Sequence, residues 1–305
     1  MTPRYKTLRR LITCSILMAA PVLHAQNAHD KSANEVNIDN LAFKWPQDLK
    51  QARLITKKQV VSLINSVGYP YSKSVDVEQY EFSVFGDGGI YLVVATNDPE
   101  TGWFQYIWVI QCHGTSCSTI DFDSAPPIDL NRQIVDLRKD GRHQIVVREC
   151  VCLNDDGRQE GQIAHVYEIA DGHAKDVSEQ YPEYFRSVVL ADIAKNLDSV
   201  TQDDQRSDVK TKELKAKLLY AQHDAERRVF GDKTAGFSDA QQWEQSNDDV
   251  IRRLAVRTYE KIDSPEAETA LHRMADTQSG LLKEEIQQSL TRKAAKGQQV
   301  QDGPK

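Results

Sequence analysis

The spacing of apolar residues along the chain changes twice. From Pro46 through Val67, the residues Leu49, Ala52, Leu54, Ile55, Val60, Val61 and Ile64 recur mostly at intervals of three and four. That period predicts a helix or helix pair, ended by Gly68 and Pro70. From Tyr80 to about Val177 the pattern becomes that of strands. YEFSVFG, GIYLVVAT, WFQYIWVIQC, CSTIDF, RQIVDL, HQIVVRECVC, IAHVYEIA and HAKDVS are each rich in β-branched or aromatic residues, and turn residues such as Asp87, Gly88 and Gly89, or Asp140 and Gly141, separate them. No helical stretch intervenes, so the strands are expected to pair as antiparallel hairpins and not as a parallel α/β sheet.

After Tyr181 the composition shifts to Ala, Glu, Lys, Gln and Arg, with start signals for helices. Ser238 followed by Gln241 fits a capping box, Ser246 to Asp249 is a second start, and Asp263, Ser264, Pro265 and Glu266 are a third. Ile251, Leu254, Ala255, Tyr259 and Ile262 form one apolar stripe. Ala267, Ala270, Leu271 and Met274 form the next, and Leu282, Ile286 and Leu290 a third. Such short amphipathic helices bury their stripes only by stacking as an antiparallel layer. The expected fold class is α+β. Its divisions are a leader (1–25), a polar flexible stretch (26–45), an N-terminal helical segment (46–79), an antiparallel β domain (80–194), a linker (195–208), a helical domain (209–296) and a disordered tail (297–305).

Charge and the N-terminus narrow the setting. Arg4, Lys6, Arg9 and Arg10 precede the apolar run Leu11 to Leu23, which ends near Ala25 in the manner of a secretory signal peptide. The run is shorter than the roughly 20 residues of a membrane span, so no transmembrane anchor is expected. Cys14 precedes the bulk of the apolar run, which argues against a lipoprotein cleavage site. Removing the leader takes the formal net charge from −7 to −11. An acidic chain of this kind has no electrostatic footprint for nucleic acid. The expected location is therefore the periplasm or the extracellular medium.

Export makes disulfides the first reading of Cys112, Cys117, Cys150 and Cys152. Cys112 and Cys117 flank a tetrapeptide in a predicted hairpin and are the favoured pair. Cys150 and Cys152 on a regular strand would lie about 6.6 Å apart, so a bond between them requires a bend, and pairing of each with a hairpin cysteine is the alternative. A zinc site using these cysteines and His113 lacks the usual ligand spacing.

The stretch IVDLRKDGRHQIVV places Asp136 and Asp140 at positions one and five of a turn that ends in Gly141. It resembles the strand–loop–strand core of FG-GAP repeats, in which Asp-x-Asp-x-Asp-Gly-x-x-Asp holds calcium and each repeat is one four-stranded blade. FSVFGDGGIYLVV, with Asp87 and Gly88, is a weaker second match, and the two cover about 100 residues. The resemblance implies two blade-like units in the β domain, and it makes Asp136 and Asp140 the calcium candidates. The chain departs from the family pattern at Arg138 and Gln144, where the family has acids, so a structural turn that lost its metal is the favoured reading. Two blades do not close a propeller. The run from Asp248 to about Leu290 weakly resembles HEAT-type repeats, which implies a protein-binding face.

Catalytic motifs are missing from the sequence: it has no nucleophile elbow, no His-Glu-x-x-His pair and no phosphate loop. Asp121 and Asp123 share one strand face; of the aromatic strand residues Tyr80, Phe82, Trp103, Tyr106 and Trp108 some are expected in the core, and Trp103, beside Gly102 in a loop, is the candidate binding anchor. The leading expectation is an exported, non-enzymatic protein-binding module of the bacterial envelope with an unknown protein partner. One specific version is an immunity-like inhibitor of a periplasmic toxin. The alternative is a cell-wall carbohydrate-binding protein or a glycoside hydrolase built on Asp121 and Asp123.

Overall fold

A computed structural model describes residues 28–29, 43–67, 77–97, 105–114, 116–124, 128–153, 161–202 and 209–301. The leader (1–25), Trp103 and the last residues of the tail lie outside the described residues. The fold is α+β, with two antiparallel sheets followed by helices.

The first sheet is a four-strand meander of β2 (Val77–Val84), β3 (Ile90–Asn97), β4 (Gln105–His113) and β5 (Ser116–Ser124). A two-residue strand, β1 (Ala28–His29), pairs with β5 at its edge, so part of the stretch read as a flexible leader is a sheet edge. The second sheet is the meander β6 (Ile134–Val135), β7 (Gln144–Cys150), β8 (Gln162–Ala170) and β9 (His173–Asp176). The eight predicted strands are therefore present as two four-stranded units, although β6 is reduced to two residues by the helical turn α3 (Leu130–Gln133) before it.

Both sheets are covered on both faces, which explains why their strands read as near-continuous apolar runs. Tyr91, Val93, Ile107, Val109 and Phe122 of the first sheet meet Ile145, Val147, Tyr167 and Ile169 of the second in one shared core. The opposite face of the first sheet carries Leu92, Val94, Trp108 and Ile110, and α2 (Lys57–Ser66) covers it with Val60, Leu63 and Ile64. Thr56 starts α2 through a complete capping box with Gln59, and the shorter α1 (Leu49–Ala52) is capped by Asp48. The opposite face of the second sheet, Val146, Ala164 and Val166, packs on the helical chain that follows it.

That chain begins where the composition shifts, after a short 3-10 turn. After Asp176 come a 3-10 turn (Ser178–Gln180), α4 (Pro182–Tyr184), a π-helical stretch (Phe185–Val189) and α5 (Leu190–Gln202). Residues 178–194 are thus not strand, and 195–202 continue a helix. Then follow α6 (Val209–Phe230), α7 (Phe237–Trp243), α8 (Asp249–Lys261), α9 (Pro265–Thr277) and α10 (Gly280–Gln301). The expected caps of α8 and α9 are Asp248 and Ser264, with Pro265 in the first turn. The expected capping box at Ser238 does not form. The chain enters α7 through Gly236 in the left-handed conformation, and Ser238 already lies inside the helix. The tail read as disordered from 297 is helical backbone as far as Gln301.

Candidate functional site

The loop from Asp136 to Gly141 is closed by its own carboxylate. Asp136 Oδ1 accepts from the Asp140 amide at 3.1 Å and Oδ2 from the Gly141 amide at 2.9 Å. These amides hold the Asp136 carboxyl below the usual carboxylate range, the Gly141 amide contributing most. Asp140 in turn accepts from the Arg142 amide. The two residues that break the calcium pattern have other work. Arg138 leaves the loop for Glu168 at 2.9 Å and donates to the Tyr181 hydroxyl. Gln144 is fully buried, where its Oε1 accepts from the Leu137 amide at 3.0 Å. Positions that carry ligands in the family thus pin the loop to itself and to the helical segment.

Asp87, in the weaker match, ties the two sheets together. It accepts from the Tyr91 hydroxyl at 2.7 Å, the Gly89 amide at 2.7 Å and the Asp171 amide at 3.0 Å. Burial pushes its carboxyl up, but these three donors outweigh that effect and hold it low. Beside it, Arg142 donates to the Gly86 carbonyl and the His143 amide to the Val84 carbonyl. Among the described residues, no group of three or more His, Cys, Asp or Glu is arranged to hold a metal ion.

Cys112 and Cys117 face each other across β4 and β5 and are bonded, with Cα atoms 4.0 Å apart. Cys150 and Cys152 are also bonded. β7 ends at Cys150, and the chain bends there, bringing the Cα atoms to 5.1 Å. Two disulfides fit a chain that folds in an oxidising compartment. No helix among the described residues is long and apolar enough to cross a membrane.

The paired carboxylates of the hydrolase alternative sit on β5, with Asp121 opposite Trp108 and Asp123 opposite Tyr106 in the strand register. Ile120 and Phe122, which alternate with them, point into the core between the sheets. Asp121 therefore belongs to the face of the first sheet turned away from that core.

The structure also assembles two polar groupings that sequence reasoning missed, because their members are far apart in the chain. In the first, His165 Nδ1 and Asp176 Oδ2 are 2.8 Å apart, and the buried Ser178 hydroxyl donates to Asp176 Oδ1 at 2.6 Å. Burial pushes the Asp176 carboxyl up, but the His165 and Ser178 hydrogen bonds overcome this and hold it at about 2. Ser178 also accepts from the Val166 amide and from Arg228. Its hydroxyl proton is directed to the carboxylate and not to the imidazole, so these three residues do not make a nucleophile activated by a base. Arg228 extends the chain of charges to Asp224 at 3.2 Å, and Asp224 meets Lys261 at 2.8 Å. Asp224 is buried, which raises its pKa, but Lys261 and Arg228 outweigh this and keep it well below the carboxylate range.

In the second grouping, His223 lies between two carboxylates, with Nδ1 2.8 Å from Glu226 and Nε2 2.7 Å from Asp239. Asp239 lines a groove of about 390 Å³ between α6, α7 and the start of α8. The floor is apolar, from Ala216, Leu219, Trp243 and Ile251, and the α6 wall carries Lys212 and Lys215. The volume lies within the range of about 300–1,000 Å³ typical of ligand sites. Of the arrangements described, this groove is the one that combines an open concavity with unengaged charge. No protein-family model, curated protein or solved structure matches the chain.

Proposed function

We propose that the protein is an exported, non-enzymatic binding module of the bacterial envelope, working in the periplasm or outside the cell, and that its helical layer receives a protein partner. The observation that carries the reading is the groove on that layer. α8, α9 and α10 pack on one another through short connections and close a common core, while α6 and α7 stand beside α8 with an apolar-floored groove open between them. Stacked helices with an accessible concave face are a common protein-binding form. The two disulfides support export. An immunity-like role is one version of this reading.

The test is affinity capture from envelope extract with residues 26–305 as bait. A stoichiometric protein partner is expected, and substitution of Leu219 or Trp243 on the groove floor is expected to weaken its recovery. A blank capture together with retention on cell-wall glycan would sink the reading and favour the carbohydrate alternative built on Asp121 and Asp123.

A further inference from the structure

The groove has a definite charge. Lys212 and Lys215 are exposed on its α6 wall, and neither has a carboxylate partner among the described residues. The arginines of α6 to α10 behave differently. Arg228, Arg252, Arg253, Arg257, Arg273 and Arg292 are each paired with a carboxylate, and Arg227 donates to the Ala235 carbonyl. α6 also opens with Lys210, Lys212 and Lys215, all exposed, in its first seven residues and has no acid in its first turn, whereas Lys217 is buried and adds nothing to this surface. Cations at a helix start oppose the helix dipole and cost stability, so their clustering here is not explained by the helix's own needs. The result is a local positive wall on a chain whose net charge is −7.

The opposite wall carries one carboxylate, Asp239, so the lining sets two lysines against one acid. Asp239 is held by His223 at 2.7 Å, while Gln242 and Gln245 line the groove with side-chain amides able to hydrogen-bond an extended backbone. Between the walls lies the apolar floor, in which Trp243 is nearly buried in the helical core and therefore fixed.

We infer that this groove takes an acidic peptide segment of the protein partner, with one apolar side chain on the floor and flanking carboxylates on Lys212 and Lys215. The inference rests on the protein-binding reading and names the chemistry of the partner's segment. The lysines supply charge complementarity and the floor supplies the anchor, whereas Gln242 and Gln245 read backbone and leave sequence choice to the anchor and its acidic neighbours. A long nucleic acid strand is disfavoured by the chain's net charge of −7.

The probe is a fluorescein-labelled peptide with the sequence Glu-Glu-Leu-Glu-Glu, measured by fluorescence polarisation against residues 26–305. Saturable binding is expected, weakened several-fold when the central Leu becomes Ala and reduced by added salt. The double variant Lys212→Glu, Lys215→Glu should bind about tenfold more weakly, as expected for reversing two exposed charges. Lys212→Arg with Lys215→Arg should restore binding. An unchanged far-ultraviolet circular dichroism spectrum and melting temperature would show that the variants fold. The inference is overturned by an absence of saturable binding up to about 1 mM, the weak limit for a specific contact. It is equally overturned by unchanged binding in the charge-reversed variant or by tighter binding of a single-stranded oligonucleotide of equal charge. If envelope capture still recovers its partner with the charge-reversed variant, the binding-module reading stands and this groove is not its site.

Discussion

Asp224 is the residue at which the second sheet and the helices exchange charge. It is almost completely buried in α6, and its two oxygens meet Arg228, which reaches to Ser178 and the Ala164 carbonyl, and Lys261 of α8. Replacing it by Asn would leave two cations facing a neutral amide. We expect a loss of about 3 kcal/mol in urea unfolding, at the low end for breaking a buried pair because the Lys261 side chain remains 46% exposed. The pH response has a definite sign. The Asp176 carboxyl, at about 2, and the Asp224 carboxyl, held low, bind protons more weakly in the folded chain than in the unfolded one. The stability they contribute is complete above the unfolded carboxylate pKa of about 4 and is lost as pH falls from there through about 2. Unfolding midpoints should therefore be flat near neutrality and drop below about pH 4, with a shallower drop for Asp176→Asn. Asp136 allows a third check. Both its oxygens serve backbone amides, so millimolar calcium is expected to leave the melting temperature unchanged, and Asp136→Ala should lower that temperature more than Asp136→Asn, which keeps one acceptor. A rise in melting temperature with calcium would mean that the loop opens to coordinate metal.

The helices differ in how they begin, and the difference decides what the sequence discloses. α8 and α9 start at Asp248 and Ser264, whose side chains cap the first amides, and such caps are visible as residue types at fixed spacing. α7 starts at Gly236 with φ of 86°, and a Cβ there would lie 2.9 Å from His223 Cδ2. Gly236→Ala should therefore cost at least the 1–2 kcal/mol or so of forcing an L-residue into the left-handed region, and it should displace His223 from between Glu226 and Asp239. Thermal unfolding and the His223 ring resonances would check both effects, and a variant as stable as the parent would refute the packing argument. The sequence disclosed the strands because period two and turn residues are local signals, and it disclosed the Cys112–Cys117 bond because a hairpin brings near neighbours opposite. α6 was less legible. Its buried apolar residues face two different cores, Ala216 and Tyr220 one and Leu218, Ala221 and Ala225 the other, so no single apolar stripe marks it. The groove was illegible for the same reason, since α6 forms one of its walls and the residues opposite come from α7 and α8.

At the scale of the whole molecule, the cores do not respect a boundary between sheets and helices. Val151 and Leu153, just beyond the end of β7, lie in the same core as Trp243, Leu254, Tyr259 and Leu271 of the helical layer. Arg253 of α8 donates to the Leu153 carbonyl and pairs with Glu285 of α10, fastening that segment from the helical side. α6 is shared as well, giving Leu218, Ala221 and Ala225 to the core over the second sheet and Ala216 and Tyr220 to the helical core. Removing either part would strip apolar surface from the other, so neither has a complete core alone. Unfolding is therefore expected to be one cooperative transition across the first sheet, the second sheet and the helices. Trp108 lies in the first sheet and Trp243 in the helical core, so single-tryptophan variants that keep one or the other report on opposite ends of the molecule. Their urea midpoints should coincide. Separate midpoints, with Trp243 changing first, would mean that the helical layer opens while the sheets persist, and the groove would then belong to a unit that is lost while the β scaffold stays intact.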